Sequence, residues 1–140
     1  MATGTAFGMA LRWYTVVVDC HDPAAQAEWW RETLDWVKVY ESDGETVIVP
    51  PHLLDESNAG TPWTHQNPGL VFVTVPEGKT IKNRLHIDLA PHTSDDRDAE
   101  IAQLLERGAT EVDVGQVDVP WLVLADPEGN EFCVLTSRDQ

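Results

Sequence analysis

Three residues in the second half of the chain carry side chains that could take part in nucleophilic catalysis. His86 and Asp88 stand two positions apart, and Cys133 lies in the last apolar run. A cysteine nucleophile needs an imidazole base and a group that orients this base. However, positions i and i+2 of one strand place His86 and Asp88 side by side, whereas a relay runs end to end. A buried, unreactive Cys133 is therefore the favoured interpretation, with a catalytic thiol as the alternative.

The elements that must position these residues form an internal repeat. Residues 12–36 and 84–109 each indicate a strand, a turn and an amphipathic helix, and short strand-like runs follow both segments. With Thr15 aligned to His86, the copies are 86 − 15 = 71 residues apart, about half of the 140-residue chain. Such a repeat predicts two modules that face each other across a shared cleft. The cleft is the natural ligand site.

The pattern predicts one α+β domain over residues 1–140, in which the order βαβββ occurs twice. In module 1, residues 12–76, strands are predicted at 12–20, 37–42, 46–50 and 70–76, with a helix from Pro23 to about Trp36 and Asp22 as its N-cap. In module 2, residues 84–137, strands are predicted at 85–90, 110–117, 121–126 and 131–137, with a helix at about 95–107. Residues 1–11 are predicted to be a loose lead-in, and residues 50–69 a long loop that could cover a ligand.

The order and three motifs resemble the vicinal oxygen chelate superfamily, specifically its glyoxalase-like and bleomycin-resistance-like branch. The motifs are the turn Asp126-Pro127-Glu128-Gly129-Asn130 before the last strand, the His86-led strand before a helix, and Asp22 between the first strand and helix. The resemblance covers nearly the whole chain. It implies the glyoxalase/bleomycin resistance/dihydroxybiphenyl dioxygenase-like fold, with two curved sheets around a cleft.

Metalloenzymes of this superfamily hold a divalent ion with one His, Gln or Glu from each of four strands, so the resemblance raises the question of a metal. Carried over to this chain, the four positions are Thr15, Val71 or Val73 (Phe72 if the register is shifted by one), His86 and Cys133. Only His86 is a conventional ligand there, so no resident metal cofactor is expected. If a metal binds, the replacement set is His86, Glu131 and Cys133, because a cysteine thiolate can ligate zinc.

The resemblance therefore implies a protein that binds a small organic molecule in its cleft. The expected ligand-binding residues are Thr15, His86, Asp88, Glu131 and Cys133 on the sheets, with Trp121 and Trp63 as apolar contacts. Catalytic residues, and whether the chain is an enzyme, stay open. The alternatives are a metal-dependent lyase or dioxygenase, an antibiotic-sequestering resistance protein, and a regulatory module without a small ligand.

Composition narrows the choice of partners and compartment. The net charge is −15, from nine basic and 24 acidic residues, which disfavours nucleic acid and anionic membranes. No apolar run is long enough to span a membrane, and the N-terminus does not resemble a signal peptide. Two cysteines in such a chain indicate reduced thiols and a cytoplasmic protein. A homodimer is expected from the resemblance.

Overall fold

The computed structural model describes residues 11–140, so the predicted lead-in lies almost entirely outside the described residues. The chain forms two compact units, of which the first ends at Glu77 and the second spans Gly78–Gln140. Each unit has its own sheet. The predicted cleft between modules stays a prediction.

The first unit has the predicted order βαβββ. Its elements are β1 (Thr15–Cys20), α1 (Pro23–Leu34), β2 (Val37–Ser42), β3 (Glu45–Val49) and β4 (Gly69–Thr74). The sheet order is β1-β4-β3-β2, in which β1 runs parallel to β4 and the other neighbours are antiparallel. Between β3 and β4, the long loop contains short 3-10 helices at Pro51–Leu54, Glu56–Gly60 and Trp63–His65.

The second unit repeats this topology. Its elements are β5 (Ile87–Leu89), α2 (Arg97–Glu106), β6 (Thr110–Glu111), β7 (Leu122–Ala125) and β8 (Glu131–Val134). The sheet order is β5-β8-β7-β6, again with a parallel first pair and two antiparallel pairs. The predicted α+β class with two βαβββ modules is therefore confirmed.

The sixth strand is much shorter than the predicted 110–117. Gly115 and Asp118 have positive φ angles of 94° and 53°, which extended strand residues do not adopt. The side chain of Gln116 donates to the carbonyl of Val112 at 3.1 Å and accepts from the amide of Val114 at 2.8 Å. The amide of Val112 still donates to the carbonyl of Val123 at 3.1 Å, and beyond it these local bonds replace the pairing with β7.

Both helices begin at an aspartate cap. The carboxylate of Asp22 accepts from the amide of Ala25 at 3.1 Å, as predicted, and the carboxylate of Asp96 accepts from the amide of Ala99 at 3.1 Å. The first helix ends before the predicted Trp36, because Asp35 adopts the left-handed conformation with φ 56°. Within residues 11–140, no helix is both long and apolar enough to cross a bilayer.

Each unit has its own apolar core. In the first unit, α1 contacts β3 and β4, and Ile48 and Phe72 are completely buried. Trp29 and Trp30 of α1 are buried too, edge to face at 5.1 Å between ring centroids. In the second unit the buried residues include Leu104, Leu124, Phe132 and Val134. There Arg97 of α2 donates to the carbonyls of Val134 and Leu135 at 3.1 and 2.8 Å, and this ties the helix to the end of β8.

Candidate functional site

The second unit contains an open cavity of about 610 Å³. Its charged and sulfur-bearing lining consists of Lys82, His86, Asp88, Glu131, Cys133 and Arg138. The remaining lining consists of Val114, Gly115, Gln116, Trp121, Val123 and Leu135. This size and this mixture of apolar surface with convergent polar groups are typical of small-molecule sites.

Strand alternation explains why these side chains meet. In the parallel pair of β5 and β8, Asp88 stands opposite Cys133, and in the antiparallel pair Val123 of β7 also stands opposite Cys133. Successive residues of a strand point to opposite faces, so Ile87 and Phe132 face away from the cavity. Phe132 is accordingly only 1% exposed, within the core.

His86 lies between Asp88 and Cys133, but the three groups do not form a relay. The Nδ1 atom of His86 is 3.0 Å from Asp88 Oδ1, and the same nitrogen is 3.9 Å from Cys133 Sγ. A relay would need the carboxylate and the thiol on different ring nitrogens. Burial raises the pKa of the Cys133 thiol, and the negative charge of Asp88 raises it further. Cys133 is therefore a protonated thiol at neutral pH, which supports the unreactive interpretation.

Glu131 is held by cations and by a backbone amide. Its carboxylate accepts from Lys79 Nζ at 2.6 Å and from the amide of Asn83 at 3.2 Å, and Lys82 Nζ lies at 3.4 Å. Burial disfavours the charged form of Glu131, but these donors outweigh it, so its pKa lies below the ordinary value. The carboxylate of Glu131 is therefore ionised, and it is already bound by Lys79 and the amide of Asn83.

The family to which this chain belongs follows from its sequence. The sequence model of the glyoxalase-like domain matches residues 15–135. The chain belongs to this family. No curated protein sequence matches it.

Solved structures of glyoxalase-like proteins share the fold. A glyoxalase/bleomycin resistance protein/dioxygenase family enzyme from Burkholderia phytofirmans PsJN is 14% identical with a TM-score of 0.65, and the match covers 90% of this chain and 98% of that one. The fosfomycin resistance protein FosX from Mesorhizobium loti is 13% identical with a TM-score of 0.61, covering 90% and 92%. A protein named oxidase ChaP-H2 is 17% identical with a TM-score of 0.57, covering 91% and 94%. At these identities the likeness concerns the fold alone.

The metal that the superfamily resemblance implies can be tested against the donors of the second unit. His86, Asp88 and Cys133 each offer one ligand atom, and these atoms lie within 4.8 Å of one another. This spacing fits a three-ligand centre for a zinc-like ion, which would act there as a Lewis acid. The carboxylate in the set is Asp88, whereas the sequence suggested Glu131, which Lys79 holds instead. Binding also requires the thiolate of Cys133, and its raised pKa opposes that form.

Two predicted ligand-binding residues, Thr15 and Trp63, belong to the first unit and do not line the cavity. Thr15 begins β1 opposite Gly69 of β4. Trp63 lies in a 3-10 helix of the long loop, where the guanidinium of Arg12 stacks over its ring at 4.5 Å and over that of Tyr14 at 4.8 Å. Their contribution to a ligand site stays a prediction.

The other five predicted residues all line the cavity, and sequence reasoning missed two cations beside them. Lys82 comes from the segment that links the modules, and Arg138 follows the last strand. Neither residue lies in a periodic pattern, so the sequence signal that could have identified them is their positive charge. On a chain with nine basic and 24 acidic residues, that charge is a usable signal.

Proposed function

We propose that this glyoxalase-like chain binds a small organic molecule in the cavity of its second unit, without the resident metal of its superfamily's metalloenzymes. The supporting observation is the cavity itself, in which Trp121, Val123 and Leu135 offer apolar surface beside the polar edge of His86 and Asp88. A small site needs this combination, because apolar contact gives affinity and a few polar groups fix orientation.

The donor chemistry supports a site without a resident metal. The carboxylate of Glu131 is engaged by Lys79, and burial favours the protonated thiol of Cys133. A metal would have to displace the proton of Cys133 and the contact between His86 and Asp88. We expect no cofactor and only weak, adventitious binding of divalent ions.

The proposal includes a cytoplasmic homodimer that binds neither nucleic acid nor membranes. Its support is the net charge of −15, which repels phosphate and anionic lipid, together with the family resemblance. Size-exclusion chromatography with light scattering tests the dimer, and a monomer at micromolar concentration would contradict it.

A second candidate function is a metal-dependent lyase or dioxygenase, favoured by the cluster of His86, Asp88 and Cys133. A third is sequestration of an antibiotic, suggested by neighbours that include a fosfomycin resistance protein. Recovery of the ligand unaltered after saturable binding would favour sequestration, whereas turnover would favour an enzyme.

A fragment screen tests ligand binding directly. We expect saturable shifts of the Trp121 indole N–H and of the amides around His86 in ¹⁵N–¹H correlation spectra, with binding lost in Trp121→Ala. Trp13→Ala is the matched control, because Trp13 is an exposed indole of the first unit that does not line the cavity. A diverse library that shifts no cavity resonance would contradict the proposal.

Metal analysis tests the second half of the proposal. Protein purified without chelator should contain no stoichiometric divalent ion, and EDTA should leave fragment binding unchanged. One tightly bound ion per chain, lost in His86→Ala but kept in the control His65→Ala, would replace this proposal with the metal-dependent one.

A further inference from the structure

From the charges around the cavity we infer that its ligand is a small organic anion, in which an oxyanion head group is attached to a flat apolar body. This inference rests on the proposed function, since it names the class of molecule that the same cavity takes. Three of the chain's nine basic residues, Lys79, Lys82 and Arg138, lie in or beside this cavity.

Some charges of the cavity already have partners of opposite charge. Glu131 has its short ion pair with Lys79 at 2.6 Å, so Lys82, at 3.4 Å, is the second cation on one carboxylate. The other carboxylate, Asp88, has His86 Nδ1 at 3.0 Å, but this contact adds no positive charge when histidine is counted as neutral, so the charge of Asp88 is not compensated by it. Lys82 is therefore a cation in excess of the charge that it contacts, and its side chain is 55% exposed.

Arg138 is the other cation of the lining that has no carboxylate of its own. Among residues 11–140, no carboxylate lies within 4 Å of its guanidinium, whose Nε donates to the carbonyl of Thr136 at 3.3 Å. The backbone of Arg138 is fixed, because its amide donates to the carbonyl of Pro91 at 3.0 Å and its carbonyl accepts from the amide of Thr93 at 3.0 Å. An anchored arginine with unused donors is suited to the two-pronged recognition of an oxyanion.

The net charge of the whole chain also affects which ligand charge the cavity favours. An anion is repelled by a chain of net charge −15, so a site for an anion requires a local excess of positive charge. With histidine counted as neutral, Lys79, Lys82 and Arg138 exceed the carboxylates of Glu131 and Asp88 by one positive charge at this cavity. A cationic ligand would gain from the field of the whole chain and from Asp88, but it would meet this local positive excess at the site.

The apolar lining indicates the rest of the ligand. Trp121 is partly exposed and lies among Val114, Val123 and Leu135, so a flat ring or a branched chain can replace water against them. His86 Nε2 is the ring nitrogen that does not contact Asp88 or Cys133. It can hydrogen-bond to a polar substituent on this body.

Probes of one shape and different charge test the inference. Benzoate, benzamide and benzamidine are planar and nearly isosteric, with charges of −1, 0 and +1, and phenylphosphonate carries a tetrahedral oxyanion. We expect benzoate or phenylphosphonate to shift the Trp121 indole resonance saturably, with an affinity at least about tenfold above that of benzamide, and to weaken as salt is raised. Equal or tighter binding of benzamide or benzamidine would overturn the anion class and leave the proposed function intact.

Variants then locate the head group. Arg138→Gln should weaken the anionic probe roughly tenfold and leave benzamide within about twofold, while Arg138→Lys should retain part of the affinity. Arg84→Gln is the control, because it removes the same charge from an exposed residue outside the cavity lining. An equal loss in Arg84→Gln and Arg138→Gln would overturn the assignment of Arg138. If none of the four probes binds, the inference fails, and the diverse fragment screen decides the proposed function separately.

Discussion

The two units share one topology, but the sheet faces that point away from their cores carry different residues. In the first unit, Val16 pairs with Leu70, and in the second Ile87 pairs with Phe132 at the corresponding place in the same parallel arrangement. By this register the first unit presents Thr15, Val17 and Val71 where the second presents His86, Asp88 and Cys133. The two copies of the repeat therefore share the same strand arrangement, whereas the polar and sulfur-bearing side chains of this sheet face are concentrated in the second copy.

The largest difference in stability is expected between two tight turns, the turn between β7 and β8 in the second unit and the turn between β2 and β3 in the first. In the second unit, the carboxylate of Asp126 is buried and accepts from the amides of Glu128 and Asn130, both at 3.0 Å. We expect Asp126→Ala to lower the free energy of unfolding by about 3 kcal/mol, because two part-buried backbone amides lose a charged acceptor that is itself buried. Urea denaturation measures this change.

An exposed tight turn of the first unit is the control for that experiment, although it is not the counterpart in the repeat, because β7 and β8 correspond to β3 and β4, which the long loop joins. Asp43 is exposed between β2 and β3, and Asp43→Ala should change stability by less than about 0.5 kcal/mol. Similar losses at Asp43 and Asp126 would show that the two hairpins do not differ in the way described.

Gly69 explains why the first unit cannot carry the polar side chain that the second unit carries at the corresponding position, Glu131. A Cβ atom at Gly69 would lie 3.0 Å from the carbonyl oxygen of Ile48 and 3.0 Å from Val49 Cγ1. We expect Gly69→Ala to cost about 2 kcal/mol of stability, measured by thermal or urea unfolding, because a backbone atom must move. The control is Gly44→Ala, where a Cβ would meet nothing within 4 Å. An unchanged stability of Gly69→Ala would mean that this position tolerates a side chain.

Much of the fold could be predicted because its signals are local. Asp22 and Pro23 mark the start of a helix by themselves, and alternation alone places His86 with Asp88, and Glu131 with Cys133, on common faces. The end of the sixth strand was missed because it depends on the φ of Gly115 and on side-chain bonds of Gln116.

The site was harder to predict where it depends on contacts between distant segments. Lys79 and Lys82 reach Glu131 from the segment before β5, and Arg138 is anchored to Pro91 and Thr93. Neither arrangement leaves a periodic trace in the sequence. The roles predicted for Thr15 and Trp63 depend on how one module meets another, which the pattern within each module does not determine.

The smallest expected effect comes from the ion pairs, and it depends on pH. Burial opposes the charge of Glu131, but Lys79 and Asn83 lower its pKa in the folded state below the ordinary 4.5. A lowered carboxyl pKa stabilises the fold above the unfolded pKa, and this contribution is lost as the pH falls through the folded pKa. We expect Glu131→Gln to cost about 1 kcal/mol at pH 7, and the difference from wild type to shrink below about pH 4.5 in urea unfolding.

The exposed pair of the first unit is the counterpart of this measurement. Glu28 and Arg31 are 2.7 Å apart on the surface of α1, where solvent screens them. Glu28→Gln should therefore have no resolvable effect at either pH. If Glu131→Gln were equally silent at pH 7, the half-buried pair of Lys79 and Glu131 would stabilise the fold no more than the exposed pair does, and the expected difference between the two units would be refuted.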